Sequence, residues 1–192
     1  MWFNFLVTFK SREMKKSNSI WVVMMVCMLC IASVFGQSKA KKNKIIADSK
    51  MAKVEFVKAD PLMKGLFEDA YGYVIFPNVG KAGFGIGGAA GNGVVYERGK
   101  IIGMAKLSQV SIGFQAGGQA YREVIFFEGQ NDLERFKGSQ FEFSAQASAV
   151  AATAGASTNV KYADGVMVFT MQKGGLMYEA SVGGQKFQFN KL

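Results

Sequence analysis

The stretch Lys81–Lys100, KAGFGIGGAAGNGVVYERGK, decides how the chain is read. Gly83, Gly85 and Gly88 fall at Gly-x-Gly-x-x-Gly spacing. In a dinucleotide fold, such a run follows a strand and opens a helix, whose N-terminus holds the pyrophosphate. The strand-like YVIF, residues 73–76, precedes the run, but no helix can follow. Gly91 and Gly93 would break one, and VVYE favours a strand. There is no Gly-Lys-Ser/Thr for a phosphate-binding P-loop either. The glycines are therefore read as structural, serving flat strand faces and hairpin turns.

Strand texture extends outward from this stretch. YGYVIFP is aromatic and β-branched, and Pro77-Asn78 is expected to turn it. Phe84 and Ile86 are placed on one strand face opposite glycines. Gly91-Asn92-Gly93 reads as a turn before VVYE, and Arg98-Gly99-Lys100 as another before IIGMAKL. From Val110 to Ala120 apolar and small residues alternate with Ser111, Gly113, Gln115, Gly117 and Gln119, the period of a long strand with one apolar face. NDLERFKG, Asn131 to Gly138, is a short helix, with Asn131 or Asp132 at its start and Gly138 at its end. A second alternating run, Phe141 to Ala151, presents a face of small residues. The last segment is expected to form a hairpin around Gly174-Gly175 and then a short strand.

Before residue 71 the pattern is helical. Residues 43–60 lack glycine and proline, and Ile46, Val54 and Val57 are expected on the core side. Lys50, Lys53 and Lys58 do not share one clean face, which argues against a lysine-rich membrane-surface helix. Asp60-Pro61 stops this helix and starts another, with Leu62, Leu66 and Phe67 apolar. Two helices followed by closely spaced strands with tight turns predict an α+β fold. N-terminal helices precede a strongly curved or barrel-like antiparallel β-sheet with one short inserted helix.

Residues 1–36 read as a signal peptide: Lys15 and Lys16, then the apolar Ile20–Phe35, then Val34 and Gly36 ahead of a cut before Gln37. The apolar run is short for a membrane anchor, and Met14 is the better start. Cys27 and Cys30 lie inside the run, so the exported chain has no thiol chemistry. Residues 37–44 are expected as a flexible basic arm, and 45–192 as the domain. The chain carries 23 basic and 14 acidic residues, a formal net charge of +9. After residue 36 the counts are 19 and 13, which favours anionic partners. Export argues against nucleic acid as that partner. The sequence contains no histidine. With no cysteine after residue 36, the usual general base, nucleophilic dyads and most zinc sites are unavailable. No catalytic residue, cofactor or metal site is expected.

AYGYVIFPNVGKAGFGIGGAAGNGVVYERGK, then VSIGFQAGGQAYREVIFF and GSQFEFSAQASAVAA, closely resembles the SYLF domain family. That family includes yeast actin-patch proteins and bacterial secreted members. The resemblance runs from about Ile45 to Phe189, and IFPNVGKAGFGIGG, Ile75 to Gly88, is its most specific block. It implies a non-catalytic module that binds membranes, through phosphoinositides in eukaryotic members, some of which also bind actin. For an exported bacterial protein, it implies anionic phospholipid in the periplasm or outer envelope, with actin an unlikely partner. An envelope protein partner, met by the small-residue sheet faces, is the alternative. The family's basic position falls on Lys81, a candidate phosphate contact, with Arg98, Lys100 and Lys106 on nearby turns. Where relatives often carry a tryptophan-serine-x-proline stretch, this chain has IIGMAKL, Ile101 to Leu107.

Overall fold

The computed structural model describes residues 39–84, 86–112, 117–139, 142–143, 148–173 and 179–192. The expected signal segment, Cys27 and Cys30, and the Gly174-Gly175 turn lie outside them, as do the side chains of Phe84 and Ile86. Ile45–Leu192 is one compact unit. Residues 39–44 belong to a separate unit. Expected as part of a flexible arm, they are helical and exposed.

Helix α1 spans residues 39–59. Within the compact unit, Ser49, Ala52 and Phe56 are its buried positions, the i, i+3, i+7 spacing of one helical face. Val54, expected in the core, is 67% exposed. Asp60 ends α1 and fixes the turn into the next helix. Its Oδ1 accepts the Leu62 N–H at 3.2 Å. Its Oδ2 accepts from the Ser157 backbone N–H at 2.8 Å and hydroxyl at 2.6 Å. Burial pushes this carboxyl's pKa up, but the Ser157 and Leu62 hydrogen bonds outweigh it and hold the group below the ordinary range. Pro61 occupies the turn before α2, Met63–Asp69.

Eight strands come next: β1 Gly72–Phe84, β2 Ile86–Glu97, β3 Lys100–Ile112, β4 Gly117–Phe127, β5 Ser148–Ala151, β6 Val166–Gln172, β7 Glu179–Ser181 and β8 Gln185–Lys191. They form one sheet of order β7-β5-β6-β4-β1-β2-β3-β8. Every pairing is antiparallel except β5 with β6. The expected α+β class holds, and the sheet is mixed through that one parallel pair. Helix α3, Gln130–Lys137, is the inserted helix. Asp132 Oδ2 accepts the Gly129 N–H at its start.

Local details differ from the sequence reading. Pro77-Asn78 does not turn the chain. Ile75 pairs with Val94 and Asn78 with Asn92, so β1 carries one extra residue there, and the pairing with β4 shifts at the same place. This is a bulge, where a residue without an N–H can sit without breaking the ladder. Gly91-Asn92-Gly93 is not a turn either but lies inside β2. The alternating run from Val110 to Ala120 is shared between β3 and β4. The second run is also divided. Glu142 bridges to Lys186 of β8, while Ser148–Ala151 pairs with β6 and β7. β7 joins β5 rather than forming a hairpin with β6.

The strands β7 and β8 lie at opposite ends of the sheet order, yet only residues 182–184 separate them in sequence. The sheet must therefore curl until its ends approach. Side chains span the concave side: Gln185 Nε2, from edge strand β8, donates to Glu123 Oε2 at 3.0 Å and to the Tyr121 hydroxyl at 3.3 Å, both on β4. Phe187 packs against Phe76, Phe136 and Phe143 at 5.8, 5.3 and 5.7 Å between ring centres, tilted to the first two and edge-on to the third. Leu133 and Phe136 bring α3 onto this inner cluster. The other face packs Ala52, Phe56, Met63 and Phe67 of the two N-terminal helices on Tyr73, Ile75, Val94, Tyr96 and Phe126.

Candidate functional site

The four basic residues singled out in the sequence do not form one site. Arg98 and Lys100 share the β2–β3 turn, where Arg98 and Gly99 have φ of 47° and 75°, and both basic residues are exposed. The Arg98 guanidinium lies 5.1 Å from the Tyr71 ring centre. Lys81 is half-buried near the far end of β1, opposite Ala89 and Gln119. Nine residues of strand separate it from Gly72 beside the turn, roughly 25–30 Å along β1. Lys81 shares its strand face with Val79 of the inner cluster, two residues before it, whereas Lys106 shares its face with Met104 of the helix-facing cluster. Those two therefore point to opposite faces. Lys106 is exposed, opposite Asn92 and Gln188.

The structure assembles a different basic group. A groove of about 480 Å³ opens between α1, α2 and the β1–β2 ladder, lined by Lys50, Lys53, Lys64, Phe67, Tyr73 and Tyr96, among others. Tyr73 and Tyr96 are register partners. Their rings stack at 4.7 Å with a 21° interplanar angle, and Phe67 meets Tyr73 edge-on at 5.1 Å. The Tyr96 hydroxyl is anchored to Ser49 Oγ at 3.1 Å. Lys53 Nζ lies 4.7 Å from the Phe67 ring centre and 5.1 Å from that of Tyr73, and donates to the Tyr73 hydroxyl at 3.1 Å. Burial lowers the pKa of this ammonium, and Glu68 offsets the effect in part. Lys64 faces Glu68 at a loose 3.9 Å, with both side chains largely exposed.

Beside the groove, Met51 and Val54 are 63% and 67% exposed. At i, i+3 they are neighbours on the outer side of α1, and Lys58 continues the row four residues after Val54. Leu62, at the start of α2, is 56% exposed. Sequence reasoning argued against this surface, because Lys50, Lys53 and Lys58 do not share one clean helical face. Lys50 and Lys53 are themselves an i, i+3 pair, which was a usable signal. The contribution of Lys64, by contrast, depends on how α2 folds back beside α1. Among the described residues, no group of three or more His, Cys, Asp or Glu could hold a metal ion.

A curled sheet with helices on both sides and a lysine-lined, aromatic-floored groove defines the α+β domain. Residues 108–191 match the Ysc84 family, described as Las17-binding protein actin regulator. That segment is thus similar to the Ysc84, or SYLF, family, a likeness consistent with a lipid-binding or actin-related module. The chain is also 28% identical over 158 residues to Beta cell expansion factor A of Aeromonas veronii; the match covers 80% of this chain and 60% of that protein's length.

Proposed function

We propose that the chain is a non-catalytic module that docks on anionic phospholipid membranes. The observation that carries this reading is the outer face of α1 and the start of α2. There Met51, Val54 and Leu62 stand exposed among Lys50, Lys58 and Lys64. Apolar side chains at this density gain by entering the acyl boundary, and each lysine near an anionic surface adds about 1 kcal/mol. The family match supports lipid in general. The export reading of residues 1–36 makes the cell envelope of a bacterium the place of action. Arg98 and Lys100 are secondary phosphate contacts beside the groove residue Gly99.

Vesicle flotation tests the proposal. The protein is expected to float with phosphatidylglycerol-containing liposomes and to remain behind with pure phosphatidylcholine; equal behaviour with both would sink the reading. The alternative, a protein partner in the envelope, is favoured by the exposed sheet positions Gly80, Ala82, Ala90, Ser108 and Val110. It would be recognised by capture of an envelope protein in the absence of vesicle binding.

A further inference from the structure

We propose that the groove between α1, α2 and the Tyr73–Tyr96 pair is a binding site for the phosphate headgroup of a single anionic lipid, gripped by Lys50, Lys53 and Lys64. This deepens the membrane-docking reading, on which it rests, by naming a discrete site and a ligand class.

Charge comes first. Three ammonium groups line the groove against one carboxylate, Glu68, and that carboxylate sits 3.9 Å from Lys64. The excess positive charge calls for an anion. The lysines stand on different elements, Lys50 and Lys53 on α1 and Lys64 on α2. They therefore approach an occupant from different sides, which suits a tetrahedral phosphate with several oxygens. Lysine acts there as a compact point charge, the way it meets phosphate in phosphate-binding loops.

The setting of Lys53 is the second argument. Its ammonium is held over two aromatic rings and makes one hydrogen bond to a neutral hydroxyl. An ammonium has three donors. Desolvation weakens its charged form, and a phosphate in the groove would restore the lost stabilisation.

Shape and placement complete the case. The volume of about 480 Å³ suits a headgroup with its glycerol. Val54, Val57 and Phe67 give an apolar wall for the first methylenes. Lys50 and Val54 belong both to the groove and to the exposed face of α1. The mouth thus opens beside the surface that meets the bilayer, and a lipid can seat its headgroup while its tails remain in the membrane.

The test is a titration followed by NMR, with dihexanoyl phosphatidic acid below its micellar concentration, dihexanoyl phosphatidylcholine and inorganic phosphate as probes. Phosphatidic acid is expected to shift the Phe67, Tyr73 and Tyr96 ring signals saturably, phosphatidylcholine to leave them in place, and phosphate to compete weakly. Lys53→Met keeps the apolar stem and removes the charge. It should weaken binding at least ~10-fold, the scale of one lost charge-assisted hydrogen bond. The exposed pair Lys50→Gln/Lys64→Gln should weaken it as well, without touching the core. Met51→Ser/Leu62→Ser, at two exposed positions that do not line the groove, should reduce flotation and leave the titration intact, so failure of the groove and failure of the docking face read out separately. Shifts elsewhere on the protein would overturn the proposal, as would unchanged affinity in both lysine variants. Inorganic phosphate binding as tightly as the lipid would overturn the lipid assignment.

Discussion

At Gly93 one missing methyl group decides how β1 and β2 lie together. A Cβ there would fall 2.7 Å from the Ile75 carbonyl oxygen and 2.7 Å from Phe76 Cδ1, inside the bulged part of β1. Gly93→Ala is expected to cost about 1–3 kcal/mol, the range for overpacking, seen as a lower urea midpoint with an unchanged slope. Glu123 is the other residue with a sharp consequence. It is fully buried on the concave side, with Tyr121 and Gln185 as polar neighbours and Thr170 opposite it on β6. Burial pushes its pKa from 4.5 up to about 8, only partly offset by the Gln185 hydrogen bond. Below 4.5 the carboxyl is neutral whether the chain is folded or not. Between 4.5 and about 8 the unfolded chain ionises while the folded one holds its proton, so this group's contribution falls as pH rises and levels off above about 8. Urea midpoints measured from pH 5 to 8.5 should show that decline in the wild type. It should be missing in Glu123→Gln, which keeps the shape and cannot ionise; a parallel decline in both would refute the assignment.

Helix α1 has to serve two surfaces. Ser49, Ala52 and Phe56 fasten it to the sheet, and Glu55 adds an ion pair to Arg122. Met51 and Val54 face outward. Met51→Asp/Val54→Asp is expected to leave thermal stability nearly unchanged, within about 0.5 kcal/mol per site. The same change should abolish co-sedimentation with phosphatidylglycerol vesicles, because two carboxylates then face an anionic surface. Val54 shows why the sequence misled. In residues 43–60 apolar residues occur on more than one side of the helix, and periodicity alone cannot say which side meets the sheet. Local signals were legible where local chemistry decides: the Arg98-Gly99 turn, the Gly138 end of α3, and the strand character of residues 73–76 and 94–97. Pro77 was legible as an irregularity, but whether a proline turns a strand or bulges it depends on whether the partner strands continue past it. The insertion of β5 between β6 and β7 was hidden for the same reason, since pairing across distant segments leaves no trace in residue order. Of the groove, the lysines could be seen, but their meeting could not.

For the whole molecule, curl and charge act together. The sheet ends approach through residues 182–184, and Gln185 fastens β8 to β4 across the concave side. That leaves α1 and α2 on the opposite, outer face. The proposed docking surface is therefore carried on the outer face of the sheet, away from its concave core. The 19 basic against 13 acidic residues after residue 36, a formal net charge of +6, add a long-range attraction to anionic vesicles. The two contributions differ in their response to salt. Raising ionic strength from ~0.01 M to 1 M shortens the screening length from about 30 Å to 3 Å and removes the long-range part, leaving apolar insertion in place. Wild-type binding to phosphatidylglycerol vesicles should fall steeply over the first part of that range and then settle at a residual level. Met51→Ser/Val54→Ser should show the same fall and reach zero. If the wild type were released completely by salt, Met51 and Val54 would not enter the acyl boundary. If it were insensitive to salt, Lys50, Lys58 and Lys64 would not be meeting phosphate.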